Sequence, residues 1–221
     1  MAARGLAVCG VLCLVALCEA AHSAPEGTIE LDRATLVATL NGWPQPAREI
    51  RLPLHWDVEY RAQSGTAQLT LPFARPSRAA SDEPYMLFIP RIGNAYSVAL
   101  NGTVLATGGH LQAHGEAWSA KQPVSIGFPQ DLLQDQNELT IQLRGDTGRR
   151  AGLVPIMLGP SRLVEPHYTR AYAFRVLLPG VATTFSALVS AFCLLLWLQQ
   201  REKLYAWACI GEAVWALVVL D

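Results

Sequence analysis

Between residues 24 and 166, apolar side chains recur at every second position in short runs, and Pro, Gly, Asn and Asp interrupt the runs. A period of two is the mark of a half-buried antiparallel strand. Over residues 48–56, Ile50, Leu52, Leu54 and Trp56 share one face, and Glu49, Arg51 and His55 share the other. Residues 68–73 repeat this with Leu69, Leu71 and Phe73. Residues 137–144 alternate most regularly, with Leu139, Ile141 and Leu143 inward and Thr140, Gln142 and Arg144 outward. The start of 85–92 is almost continuously apolar, which predicts a strand buried on both faces. Further strands are expected at 124–128 and 153–158, with a helical turn at 130–133, and Trp43 and Trp56 are expected in the core. The sharpest local signal is Asn101-Gly102, which suits a two-residue turn with positive backbone angles. Pairing across it places Tyr96, Val98, Leu100 and Leu105 on the core side and Ser97, Ala99, Val104 and Ala106 outside. Short strands without a long helix predict a mainly β domain at 24–166, an antiparallel jelly-roll β-sandwich.

Past a junction at 167–175 the pattern changes. Residues 176–198 contain no charged side chain, and about 20 apolar residues suffice to carry a helix across a ~30 Å hydrocarbon core. Pro179 and Gly180 stand near the start, where a helix tolerates them, and Trp197 near the end, where its ring suits the headgroup layer. A polar loop at 199–203 and a second apolar run at 204–221 complete a transmembrane α-helical hairpin, its second helix barely long enough to cross. Glu212 interrupts that run, and an intramembrane carboxylate predicts a contact with other helices.

The first 23 residues have the layout of a secretory signal peptide: Arg4, an apolar stretch at 6–17, then Ala21-His22-Ser23 with cleavage before Ala24. This places the sandwich outside the membrane that the hairpin crosses and the 199–203 loop in the cytoplasm; for a bacterial chain the outside is the periplasm and the membrane the inner one. Charges flanking the span do not decide orientation, because Arg170 and Arg175 balance Arg201 and Lys203. Of five cysteines none lies between Cys18 and Cys193, so the exported domain must stand on its core without disulfides. A formal net charge of −1 gives no basic excess for nucleic acid. The bilayer is the one partner the pattern itself implies.

No phosphate-cradling loop, zinc-protease pair or nucleophile elbow occurs, so neither a cofactor nor a catalytic residue is expected. His110 and His114, with Glu116 nearby, have a metal-like spacing, but flanking glycines argue for a loop. Asp131, Asp135 and Glu138 read as solvated caps. Asn101-Gly102-Thr103 matches a glycosylation acceptor, but the turn explains the motif fully. Should the sandwich bind a ligand, loops at one end are the place for it, and Arg91, Asn94, His110, His114 and Trp118 are the candidate residues.

Leu52 to Asp57 (LPLHWD), Pro90-Arg91-Ile92, SVALNGTVL, NELTIQL and the closing GLVPIMLGP, in that order, resemble the galactose-binding-like jelly rolls. With a span immediately after, the chain is similar to the N-terminal part of bacterial multi-helix membrane sensor proteins. The resemblance implies a periplasmic sensory domain, responding to a carbohydrate, another small molecule or a partner protein, in a homodimeric receptor. Such receptors continue through more helices into a histidine kinase or a diguanylate cyclase module. The alternative is a membrane-anchored carbohydrate-binding or envelope-interaction module without signalling output.

Overall fold

The computed structural model describes residues 27–61, 63–76, 83–93, 95–111, 122–147 and 151–220. The expected signal peptide at 1–23 lies outside them, as do Asn94, His114, Glu116 and Trp118.

Antiparallel strands form two facing sheets. The larger is built on two ten-residue strands, β6 (Gly65–Ala74) and β11 (Gln136–Gly145), paired from Gln136 opposite Ala74 to Gly145 opposite Gly65. This register sets Leu139 against Leu71 and Ile141 against Leu69, and all four are fully buried. Beyond β6 lie β2 (Arg33–Leu40) and the two-residue β3 (Trp43–Pro44), with β4 (Arg48–Arg51) also paired to β2. Beyond β11 lie β8 (Ala95–Leu100) and β9 (Thr103–Gly108). Pro72 fits within β6 because the pairing with β2 ends at Thr70, so its missing N–H costs no ladder bond on that side.

The smaller sheet runs β1 (Ile29–Leu31), β13 (Ile156–Pro160), β7 (Tyr85–Ile89), β10 (Val124–Phe128). Tyr85, Leu87, Ile89, Ile126, Phe128, Ile156 and Leu158 face the larger sheet and join its inner residues in one core. Each fully buried Leu or Ile contributes about 1.5–3 kcal/mol. This is an antiparallel, sandwich-like fold, and the run at 85–89 is buried as its sequence predicts.

At the Asn101-Gly102 turn both residues have positive φ, 50° and 83°. Asn101 also binds β11 and the helical turn before it: its Nδ2 donates to the Leu132 carbonyl (2.9 Å) and to Asn137 Oδ1 (3.0 Å), and its Oδ1 accepts from the Glu138 N–H (2.9 Å). The side chain that a sugar would occupy is thus engaged in the fold.

Several expectations change. A bulge between Val98 and Ala99 sets Val98 opposite Ala106, so Ala106, expected outside, packs on the core beside Leu105. The single strand expected at 48–56 is broken: β4 stops at Arg51, a cis Leu52–Pro53 peptide follows, and the chain continues as β5 (Leu54–His55) and a short helix α1 (Trp56–Glu59). The strand expected at 153–158 divides into β12 (Gly152–Leu153), which pairs with β5, and β13. Trp56 is fully buried, but Trp43 is 76% exposed, because β3 is a short edge strand paired only to the last residues of β2. Arg144, expected outside, is 4% exposed.

Helix begins at Ser161, directly after β13, so the sandwich boundary expected at 166 falls inside it. The order is α2 (Ser161–Tyr172), a π-helical segment at Ala173–Leu177, and α3 (Leu178–Gln200). Val164, Tyr168 and Tyr172 recur every fourth residue, which puts them on one stripe. Val164 is fully buried, the Tyr168 ring meets Phe88 edge-on at 6.3 Å, and α2 lies over β7, β13 and β10. The π segment falls where Pro179 has no N–H for the carbonyl four residues back, and the Leu178 N–H instead reaches Ala173. Together Ser161–Gln200 is the one helix among the described residues long and apolar enough to cross a membrane. At Arg201 (φ 56°) the chain turns into α4 (Lys203–Leu220). Ser186 and Ser190 are buried, and Ser190 Oγ donates to the Cys209 carbonyl (2.9 Å), a small-residue contact typical of close helices.

Candidate functional site

A cleft of about 290 Å³ opens at one end of the sandwich, where β5, α1, the Arg91 segment and β12 converge; its polar lining is His55, Asp57 and Arg91, its apolar lining includes Leu54, Val58 and Val154. Long-range pairings assemble it. Gly152 lies opposite His55 and Leu153 opposite Leu54, Ile92 bridges to Leu153, and the Val154 N–H donates to the Arg91 carbonyl (3.3 Å). Gly152 has φ 150°, and a Cβ there would lie 2.0 Å from the Leu54 carbonyl oxygen, so only glycine lets β12 approach β5 this closely.

Among the described residues the side chains of Arg91, His55 and Asp57 form no hydrogen bond or ion pair. A guanidinium, an imidazole and a carboxylate can together hold a polar molecule bearing an anionic group or several hydroxyls.

Of the expected site residues, Arg91 lines this cleft and His110 does not. His110 stands nearby through its main chain: its carbonyl accepts from Arg144 Nη1 (2.5 Å). Arg144 also pairs with Asp146 (2.9 Å), and its main chain approaches the Arg91 segment at Gly93, where a Cβ would lie 3.3 Å from the Arg144 carbonyl oxygen. Trp56 closes the same end. A Cβ on Gly145 would lie 2.1 Å from its indole ring, and its Nε1 donates to the Gln63 carbonyl (2.8 Å). Nearby, Arg48 pairs with Glu59 (2.6 Å) and donates to the Tyr60 hydroxyl (3.1 Å). These contacts, Glu59 foremost, raise its pKa further and tie α1 to β4. Burial raises the Tyr96 phenol above its ordinary 10.0.

His55, Asp57 and Arg144 were not foreseen as site residues; the motif LPLHWD carries the first two, read only as the outer face of a strand. Among the described residues no three His, Cys, Asp or Glu side chains come together as a metal site. Glu212 is half-buried on α4, and among the described residues it has no hydrogen-bonding or ion-pairing partner.

No protein-family model matches the chain, and no curated protein matches it. Solved structures with some likeness are glycosidases. An FMN-binding beta-glucuronidase from Faecalibacterium prausnitzii L2-6 is 18% identical with a TM-score of 0.45, over 62% of this chain and 23% of that one. A GH2 beta-galacturonidase from Eisenbergiella tayi bound to galacturonate is 13% identical with a TM-score of 0.43, over 60% and 24%. A beta-glucuronidase from Bifidobacterium dentium is 16% identical with a TM-score of 0.41, over 63% and 31%. The present chain therefore spans less than a third of the length of each.

Proposed function

We propose that this chain is the extracytoplasmic binding domain of a bacterial membrane receptor, a galactose-binding-like jelly roll coupled rigidly to its span. The observation that carries the proposal is the junction. No linker separates β13 from the helix, and the helix is held to the smaller sheet along its first turns. The Ser161 N–H and Oγ both donate to the Pro84 carbonyl (2.9 Å each), the Arg162 N–H donates to Glu83 Oε1 (2.7 Å), and the Arg175 guanidinium donates to the Pro90 carbonyl. A displacement of the sandwich is thereby a displacement of the span. A ligand in the Arg91 cleft, a carbohydrate or another small polar molecule, signals only to the extent that it distinguishes two positions of this assembly. A histidine kinase or diguanylate cyclase as the output, in a homodimer, is implied by the sequence resemblance alone, and no described residue carries it.

A membrane-anchored carbohydrate-binding module without output is the second reading. The cleft favours it, since its lining residues all belong to the sandwich and none to the helix. The two readings differ in whether the docked helix matters to function.

Single-cysteine variants lacking the native cysteines test the placement. In spheroplasts a membrane-impermeant maleimide is expected to label Thr103→Cys, on the sandwich, and to spare Glu202→Cys until the membrane is opened. The reverse labelling, or equal labelling of both, overturns the proposal.

A further inference from the structure

The exposed tryptophan of the edge strand and the point where the helix leaves the sandwich lie at the same end of the molecule. Leu40 pairs with Trp43 and with Gly65, and Gly65 pairs with Gly145. Arg144 pairs with Ala95, and Gly108 with Tyr96. Trp43, Gly145, the start of β8 and the end of β9 therefore form one rim of the larger sheet. The Arg91 segment joins this rim at Gly93, and α1 joins it where Trp56 covers Gly145. The helix departs here as well: Arg175 holds the Pro90 carbonyl, and the uncharged run begins at the next residue.

Among the described residues of the sandwich, three large apolar side chains are notably exposed: Trp43 (76%), Val58 (67%) and Val104 (60%). Val104 is at the opposite end, beside the Asn101-Gly102 turn. Trp43 and Val58 are both at the helix-bearing end. Trp43 is three strand spacings from β11, about 14 Å to one side, and Val58 lines the cleft with Arg91. Apolar side chains with a tryptophan at the level where a span begins match the headgroup layer, where an indole is most favourably placed. Arg91, which has no side-chain partner among the described residues and stands one residue beyond Pro90, is placed to meet lipid phosphate.

We infer that this end of the sandwich is a membrane-contact face, with Trp43 and Val58 seated in the headgroup layer of the bilayer that the helix crosses. This rests on the reading of Ser161–Gln200 as a span. The contact fixes the tilt of the sandwich at a second point beside the helix, and it sets the cleft at the lipid surface.

The test uses the full chain in vesicles of phosphatidylethanolamine and phosphatidylglycerol. An environment-sensitive fluorophore is attached to Trp43→Cys, Val58→Cys, Thr103→Cys or Leu188→Cys, with the native cysteines replaced. Thr103 lies on the order of 17 Å along the strands from the rim, and Leu188 is exposed on α3. The expected result is quenching at 43 and 58 by headgroup-borne nitroxide but not by iodide, the opposite at 103, and quenching at 188 by acyl-chain nitroxide. Labels at 43 and 58 that behave like 103, while 188 is in the acyl chains, overturn the contact face and leave the span intact. A label at 188 reached by iodide overturns the span and the contact face together.

Discussion

Val164 is the side chain through which the coupling between sandwich and helix is most directly perturbed. It is fully buried, and Phe88 beneath the helix is 6% exposed, although it lies on the outer face of β7, away from the main core. Undocking α2 exposes both. At about 1.5–3 kcal/mol for each buried side chain, the apolar contribution to docking is about 3–6 kcal/mol. Val164→Ala removes roughly 1.6 kcal/mol, at ~0.8 kcal/mol per methyl-sized group, and α2 is expected to stay docked. Val164→Asp removes the whole valine share and buries a carboxylate without a partner, at a further cost of several kcal/mol, so the docked state should no longer be favoured. The core between the sheets does not contain Val164 and should remain folded. Hydrogen exchange reads this directly, because a 12-residue helix released from its sheet is marginal by itself. Peptides covering 161–172 should lose protection in Val164→Asp by about three orders of magnitude, the equivalent of ~4 kcal/mol, while β7, laddered to β13 and β10, and β6 and β11 keep theirs. Protection at 161–172 equal to wild type would refute the argument.

Four further outcomes are expected. Gly145→Ala drives a Cβ to 2.1 Å from the Trp56 ring, and thermal melts should show a loss of about 1–3 kcal/mol. Asn101→Gly keeps the turn but loses its side-chain bonds, at about 0.5–1.5 kcal/mol each; Asn101→Ala should be worse by about 1–2 kcal/mol, because φ 50° is costly for alanine, and denaturant titration checks the order. Tyr96 has a folded pKa above its ordinary 10.0, so its share of stability is complete below pH 10.0 and falls as pH rises through the folded pKa; Tyr96→Phe should flatten the stability profile in that window. Arg91→Ala, at a side chain without a partner among the described residues, should change stability by no more than about 0.5 kcal/mol while weakening binding of any anionic ligand in the cleft, as read by calorimetry.

The inner strands were legible in the sequence because their environment is symmetric along their length. Leu69, Leu71, Leu139 and Ile141 each meet a partner across β6 and β11, so alternation alone marks the buried face. The Asn101-Gly102 turn was legible for a local reason, the positive φ that both residues adopt. Trp43 was not: its hydrophobicity says nothing about whether an edge strand is covered. Arg144 follows the outward phase of its strand, and its burial depends on the His110 segment crossing over it, a contact 34 residues away in sequence. The sandwich boundary expected at 166 overshoots, because Pro166 is the sixth residue of α2, where burial of Val164 on the sheet outweighs the hydrogen bond that proline removes. The cleft was half legible. Arg91 was anticipated, but His55 and Asp57 join it through the pairing of β5 with β12, which no local period encodes.

The claim that sandwich and span move as one body is tested most directly by a distance across the junction. Spin labels at Thr103→Cys and Leu188→Cys, with the native cysteines replaced and the full chain in bilayers, give that distance by pulsed electron paramagnetic resonance. A docked α2 predicts a single narrow distribution that broadens in Val164→Asp. A distribution already broad in the wild-type background, and unchanged by Val164→Asp, would contradict it.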